Sequence, residues 1–421
     1  MIIEIINTGS ELMLGFVLNT HQQWLCRQLA DVGYTVTRQV AVADTGLAIQ
    51  AAVRESLTRA DFVIVTGGLG PTSDDLTRDL IAELLGRNLR LDEGIAAGLR
   101  AFFARRGRNM PETTLVQAQV PEGAEVLPNP NGTAPGLALT VAPNPFRPGG
   151  RLSRLIMLPG PPREMRPMFL AEVLPMLQRE FPLADPFVCR TLRTTGIGES
   201  FAEDRIRGPL QPLVAAGLEL GYCAHYGSVD VRIVTRGRAA ESLAAEAEAI
   251  IRSQLGAHVF GTQDDELPGT VVALLTERRE TLVLAESCTG GYIANQITNV
   301  PGASAVLLAG LVTYSDAAKQ SLLAVREETL AAHGAVSEAT VRQMAEGARA
   351  RLRADYALAV TGIAGPGGGS EAKPVGTVFI ALATARQTLV LNPTNRYDRA
   401  TFKIVTCQQA LELLRRNLLG E

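Results

Sequence analysis

The sequence predicts an α/β protein of several domains, and three stretches carry that prediction. Short apolar runs at residues 62–65, 281–284 and 356–360 read as buried strands, and each empties into a glycine-rich turn. The first two turns lead straight into helical spacing, near Leu76 and at Tyr292, Ile293, Ile297 and Val300. Alternation of strand and helix makes mainly parallel sheets covered on both faces. Such sheets place ligands at the carboxyl ends of their strands, so the turns are where chemistry is expected. With 421 residues, 46 % of them hydrophobic, the chain holds about two to four domains.

In chain order, residues 2–6 form the first strand and open into Thr8-Gly9-Ser10-Glu11-Leu12. A helix follows over residues 20–32, closed by Gly33. Ser10, Glu11 and Asn19 sit at the strand's carboxyl end and are binding candidates, although Glu11 also suits an ordinary helix N-terminus. The strongest pattern in this half is residues 66–75, where Gly67, Gly68 and Gly70 expose backbone amides to a phosphate and Thr72 lies beside them. Ser73 or Asp74 is placed to cap the helix that begins near Leu76. Adjacent carboxylates at Asp74 and Asp75 would repel a phosphate unless a hard divalent cation such as Mg²⁺ lay between them. Asn131 belongs to a second turn cluster at residues 129–136, and the prolines at residues 159–162 stiffen the exit of another strand. Residues 142–150 read as a surface hairpin tip, and Arg100, Arg105, Arg106 and Arg108 as the solvated end of a helix.

Residues 171–257 read as a small α+β domain, with a helix near residues 201–206, strands near 218–224 and 229–235, and an alanine-rich helix over 239–255. It contains no Gly-x-x-Gly loop flanked by basic residues, and the whole chain carries a formal charge of -3, so nucleic acid is not the expected partner. Five widely spaced cysteines include no Cys-x-x-Cys pair, which fits a reducing cytoplasm better than a disulfide framework or a zinc site. No apolar run reaches the length of a membrane span, and the first residues lack the pattern of a cleaved leader.

From residue 258 onward the centre is Ala285-Glu286-Ser287-Cys288-Thr289-Gly290-Gly291, which puts a hydroxyl, a thiol and a carboxylate into one strand-to-helix turn. Its first helical amides suit an oxyanion or phosphate, while the plainer reading is a capped turn. Ser287 and Cys288 compete as nucleophile. Cysteine ordinarily needs an imidazole partner, and neither His258 nor His333 is placed to supply one. Serine can instead use a desolvated lysine, and Lys319 lies five residues after Tyr314 at the start of a helix, though a lone helix lysine is usually a surface residue. Residues 361–370 form another ligand-facing glycine loop.

These motifs together resemble the competence/damage-inducible protein A (CinA) family. Residues 8–12, 66–77, 131–136 and 158–165 look like its N-terminal molybdopterin-binding-type domain, and residues 285–291, 312–315 with Lys319, 333–337, 361–366 and 373–378 look like its C-terminal nicotinamide mononucleotide deamidase domain. The resemblance implies three domains at residues 1–170, 171–257 and 258–421, with a KH-type fold in the middle. It implies two activities in pyridine-nucleotide recycling, on nicotinamide mononucleotide and on ADP-ribose. In the C-terminal domain Ser287 would be nucleophile, Lys319 base and Tyr314 proton relay, without a cofactor. There Thr289, Gly290, Gly291, Thr361, Gly362, Gly365 and Arg399 would bind substrate, and Lys403 replaces a second arginine of the family. In the N-terminal domain a divalent metal of the Mg²⁺ or Co²⁺ type, held by Asp74, Asp75 and Glu11, would serve hydrolysis of ADP-ribose. Gly67, Gly68, Gly70, Thr72, Asn19 and Asn131 would bind that substrate. Ser10 departs from the family's frequent aspartate, which weakens a metal role there. The resemblance further implies a homodimer. The alternative is a non-catalytic scaffold that binds a pterin or a nucleotide, or serves competence.

Overall fold

The computed structural model describes all 421 residues and divides them into two compact units, Met1–Phe187 and Val188–Glu421. In the first unit, strands β1 (Ile3–Thr8), β2 (Val36–Val42) and β3 (Phe62–Thr66) are followed by a short pair, β4 (Leu89–Leu91) and β5 (Gln119–Pro121). Then come β6 (Ala124–Leu127), β7 (Gly136–Val141) and β8 (Ser153–Leu158). The main sheet has the order β2-β1-β3-β8-β7-β6, with the first four strands parallel and the last two antiparallel. Every residue of β1, β3 and β8 is buried, because helices cover both faces. Alternation along β1 and β3 sends Ile3, Ile5, Phe62 and Ile64 into one core and Ile6, Val63 and Val65 into the other. After β1 the chain moves outward to β2, and β3 lies on the opposite side, so the strand order reverses between them. That reversal opens a crevice at their carboxyl ends.

Two local expectations change. The helix Thr77–Leu84 has Leu76 at its N-cap with no side-chain cap, so neither Ser73 nor Asp74 caps it. The segment at residues 142–150 does join two antiparallel strands, but it is anchored rather than superficial. Asn144 is buried and donates to Leu57 O and Ser153 Oγ, and buried Arg147 pairs with Asp61 at 2.8 Å.

The second unit contains two sheets. In the first, β9 (Phe187–Thr195), β10 (Glu219–His225), β11 (Ser228–Arg236) and β12 (Val259–Thr262) take the order β10-β11-β9-β12. Two helices, Glu199–Ala215 and Ala240–Leu255, bury Ala202, Ile206, Leu210, Ala244, Ala247 and Ile251 against it. The first is much longer than its sequence pattern indicated, because Pro209 and Pro212 are accommodated within it. Strand β12 pairs with β9, so this sheet extends beyond residue 257. The other sheet runs β14 (Leu307–Val312), β13 (Leu282–Glu286), β15 (Tyr356–Gly362), β16 (Val378–Ala383) and β17 (Thr388–Leu391). Strands β14, β13 and β15 are parallel, and β13 sends Leu282 and Leu284 into one core and Val283 and Ala285 into the other. The central strand therefore delivers residue 287 to a second point of strand reversal. No helix in either unit is long and apolar enough to cross a membrane.

Candidate functional site

The C-terminal site begins where β13 ends. Ser287, only 9 % exposed, follows the last residue of the strand, and its amide donates to Val360 O on β15. Across the reversal, the helix Asp316–Leu323 starts with Ser315 as N-cap and turns Lys319 inward, where it is 1 % exposed. Its Nζ lies 3.3 Å from Ser287 Oγ, 2.9 Å from Thr313 O and 3.3 Å from Tyr314 O. Burial lowers the Lys319 pKa, against the opposing charge of Asp316. A neutral amine has two N–H groups and one lone pair. Protonated, Lys319 donates to Ser287 Oγ; once neutral, it gives its two N–H groups to the carbonyls and turns the lone pair to the serine hydroxyl.

The remaining candidates settle around this pair. Cys288 packs in the apolar core and burial pushes its thiol up to about 12, which leaves it without thiolate character at neutral pH. Tyr314 touches Lys319 through its carbonyl, whereas its hydroxyl accepts from Arg399 at 2.7 Å; the contact expected of a relay is thus absent here. Arg399 also donates to Gly365 O at 2.9 Å and so joins the glycine loop to Tyr314. One helical turn on, Lys403 Nζ lies 3.6 Å from where a Cβ on Gly290 would sit. The Thr361 hydroxyl is occupied by Ala335 O, and a Cβ on Gly362 would crowd Thr377 O, so these residues shape the loop.

Glu286 corrects the expected role of the turn. Its buried carboxylate accepts from Thr289 Oγ1 and from the amides of Gly291, Ile293 and Ala294, at 2.7–3.1 Å. The helix N-terminus and the Gly291 amide are therefore already satisfied from within and are not free for substrate. The amides of Cys288 and Thr289 meet only the Cys288 sulfur, a weak acceptor, and lie beside Ser287.

The N-terminal site occupies the first strand reversal, in a cavity of about 380 Å³. Thr8, Gly9 and Glu11 come from the end of β1, Gly67, Gly68, Gly70, Asp74 and Asp75 from the loop after β3, and Pro159–Pro161 from the turn after β8. The loop is tightly fixed. Gly67 and Gly68 have φ of 102° and 66°, and a Cβ would stand 2.6 Å from Thr8 O in one case and 2.2 Å from Thr77 Oγ1 in the other. The amides of Gly68, Leu69 and Gly70 are left without protein acceptors. Asp75 accepts from the amide and hydroxyl of Thr72, which makes both part of the loop's own scaffold. Asn19 caps the helix Thr20–Asp31 and donates to Asn7, and Asn131 lies outside the cavity lining.

Two further acids line the cavity that the sequence did not single out, Asp44 and Glu164. Burial raises the Asp44 pKa, although the Ser10 amide bonds to it, and the charges of Glu11 and Asp74 raise it further. No lysine or arginine lines the cavity to balance these acids, which fits a divalent cation. No three carboxylates converge into a preformed cage, so such an ion would take much of its shell from water and phosphate, as Mg²⁺ does. Asp44 was hidden in the sequence because it stands alone. It becomes visible only through the reciprocal bonds that join it to Ser10 across 34 residues.

Comparison with known proteins extends over the whole chain. A CinA-like protein of Akkermansia muciniphila is 45 % identical, with 97 % of this chain and 95 % of its own length covered. The chain belongs to the CinA family. A CinA-like protein of Frankia casuarinae is 42 % identical, with 99 % and 96 % covered. Three family models match successive parts of this CinA chain: "Probable molybdopterin binding domain" at residues 4–179, "Damage-inducible protein CinA KH domain" at 189–261 and "CinA C-terminal domain" at 264–418. Among solved structures, the competence/damage inducible protein CihA from Agrobacterium tumefaciens is 43 % identical. It covers 36 % of this chain and 93 % of its own, with a TM-score of 0.35. The multidomain α/β reading, with a KH-type middle domain, is thereby established.

Proposed function

We propose that this CinA-family chain is a two-site hydrolase that recycles pyridine nucleotides and ADP-ribose. The C-terminal site deamidates nicotinamide mononucleotide, and the observation that carries this reading is the Ser287–Lys319 pair with two carbonyls orienting the amine. Ser287 Oγ attacks the carboxamide carbon while its proton passes to Lys319 Nζ. The developing oxyanion is received by the amides of Cys288 and Thr289. Lys319 then returns the proton to the leaving nitrogen, which departs as ammonia and leaves an ester on Ser287. Water attacks the ester, Lys319 takes its proton and delivers it to Ser287 Oγ, and nicotinate mononucleotide is released. Arg399 and Lys403 face the substrate's phosphate.

The N-terminal site hydrolyses the diphosphate of ADP-ribose to AMP and ribose 5-phosphate. Asp44, Asp74, Asp75 and Glu11, acting partly through water, would hold a divalent metal, which when bound supplies positive charge to the diphosphate. The Gly68, Leu69 and Gly70 amides hold phosphate oxygens, and the rigid Thr72–Asp75 turn keeps that cradle open. A non-catalytic nucleotide-binding role is the alternative for this half, favoured by the lack of a preassembled acidic cage. Ammonia release from nicotinamide mononucleotide tests the first site, and its survival in Ser287→Ala would end the serine-amidase reading. ADP-ribose turnover that persists after chelation, or in the double variant Asp74→Ala with Asp75→Ala, would end the metal-dependent reading.

A further inference from the structure

A smaller cavity of about 180 Å³ adjoins the N-terminal one and shares Thr8, Glu11, Gly67 and Gly160 with it. His21 lines only this smaller lobe. A directed chain of hydrogen bonds sets its tautomer. The Gln22 amide donates to Asn19 Oδ1, which orients the Asn19 amide so that its Nδ2 donates to Asn7 Oδ1 at 3.1 Å. That fixes Asn7 in turn, whose Nδ2 donates to Thr66 Oγ1 at 2.6 Å. The Thr66 hydroxyl then has its own proton to place, and its remaining partner is His21 Nδ1 at 3.3 Å. Nδ1 is thus the acceptor, and a neutral ring must carry its proton on Nε2, which has no partner in the protein.

The surroundings favour an anion opposite that N–H. Burial and then the charge of Arg166 lower the His21 pKa, so the ring is neutral near pH 7. Arg166 lies over the Trp24 ring, pairs with no carboxylate, and has a buried Nε without a partner. A neutral donor beside an uncompensated guanidinium attracts negative charge without itself repelling a nearby metal.

We infer that His21 is a phosphate-contacting residue of the N-terminal site, donating Nε2–H to a phosphoryl oxygen of a diphosphate that spans the two lobes across Gly67 and Gly160. This deepens the reading of that site as a diphosphate hydrolase and rests on it. The test uses the full-length protein labelled with ¹⁵N-histidine, whose four imidazoles are separable and whose His21 signals vanish in His21→Gln. Long-range ¹H–¹⁵N spectra of the free protein should show His21 protonated on Nε2, and inorganic pyrophosphate added with chelator should shift that nitrogen. In kinetics, His21→Leu should raise KM for ADP-ribose about tenfold with a smaller change in kcat. His21→Gln, whose amide can donate from a similar position, should stay within about threefold of wild type. A proton on Nδ1, an Nε2 signal indifferent to pyrophosphate, or an unchanged KM in His21→Leu with a normal melting transition would each overturn the inference. If wild type does not turn over ADP-ribose while pyrophosphate still shifts Nε2, the hydrolase reading fails and the phosphate contact stands.

Discussion

Glu286→Gln is the substitution whose effect the C-terminal site specifies most fully. The carboxylate accepts one hydroxyl and three amides and has no donor of its own. Thr289, Gly291 and Ile293 all reach one carboxylate oxygen and Ala294 the other, so a glutamine can keep three of these bonds and sets its NH₂ group against the Ala294 amide. Hydrogen bonds to a charged group contribute about 1.5–3 kcal/mol each, so the lost bond to Ala294 costs about 1.5–3 kcal/mol. For a unit of this size that corresponds to a fall in Tm of about 3–12 °C. The NH₂ group opposing the Ala294 amide would also displace the turn beneath Ser287, so ammonia release should fall at least about tenfold at temperatures where the protein remains folded. Thermal unfolding followed by circular dichroism, with turnover measured well below the transition, reads both effects. A variant that melts and turns over like wild type would refute the claim that this carboxylate organises the turn.

The lowered Lys319 pKa gives ammonia release an ascending pH limb below the ordinary lysine range, and Lys319→Met should abolish the limb and cost about 10²–10⁴ in rate. The linked stability has a definite sign. Between the lowered folded pKa and the ordinary unfolded one, the unfolded chain binds more protons, so stability rises with pH across that window, and Lys319→Met should flatten this rise in denaturant titrations. Asp44→Asn should weaken Mg²⁺ binding in calorimetry at least about tenfold, and an unchanged affinity would remove Asp44 from the metal site. Lys403→Ala should raise KM for nicotinamide mononucleotide about tenfold with kcat less affected, and the reverse pattern would place Lys403 at the reacting amide rather than the phosphate.

The turns were legible in the sequence because their residues are contiguous: strand, glycines and nucleophile all fall within residues 282–291, and the loop after β3 within residues 66–75. Lys319 was legible through the helix that carries it, although its burial was not, because that depends on where β14 delivers the helix relative to β13. Glu286 was visible as part of a motif but not as the cap of the following helix, since a residue at the end of a strand must fold back over eight positions to reach Ala294. Asp44 and His21 were missed for a related reason. Each is a single polar residue whose partners arrive from another strand's end, at Ser10 in one case and Thr66 in the other. Tyr314 shows the opposite failure: the spacing to Lys319 was read correctly, but its side chain and its carbonyl go to different partners.

Strand β12 has a mechanical consequence. Its ladder with β9 changes register between Val259 and Gly261, so Phe260 is bulged out of the pairing. Val259 packs with the helices of the middle sheet, while Phe260 enters the core beneath β13 and β15. Arg415 donates to Ala257 O, and Arg416 to His258, which fasten the end of the last helix to the same few residues. Bending the chain here would tear the ladder and withdraw an aromatic ring in the same movement. The segment is thus a rivet rather than a hinge, and a force applied to the KH-type lobe is transmitted to the strand bearing Ser287 with little slack.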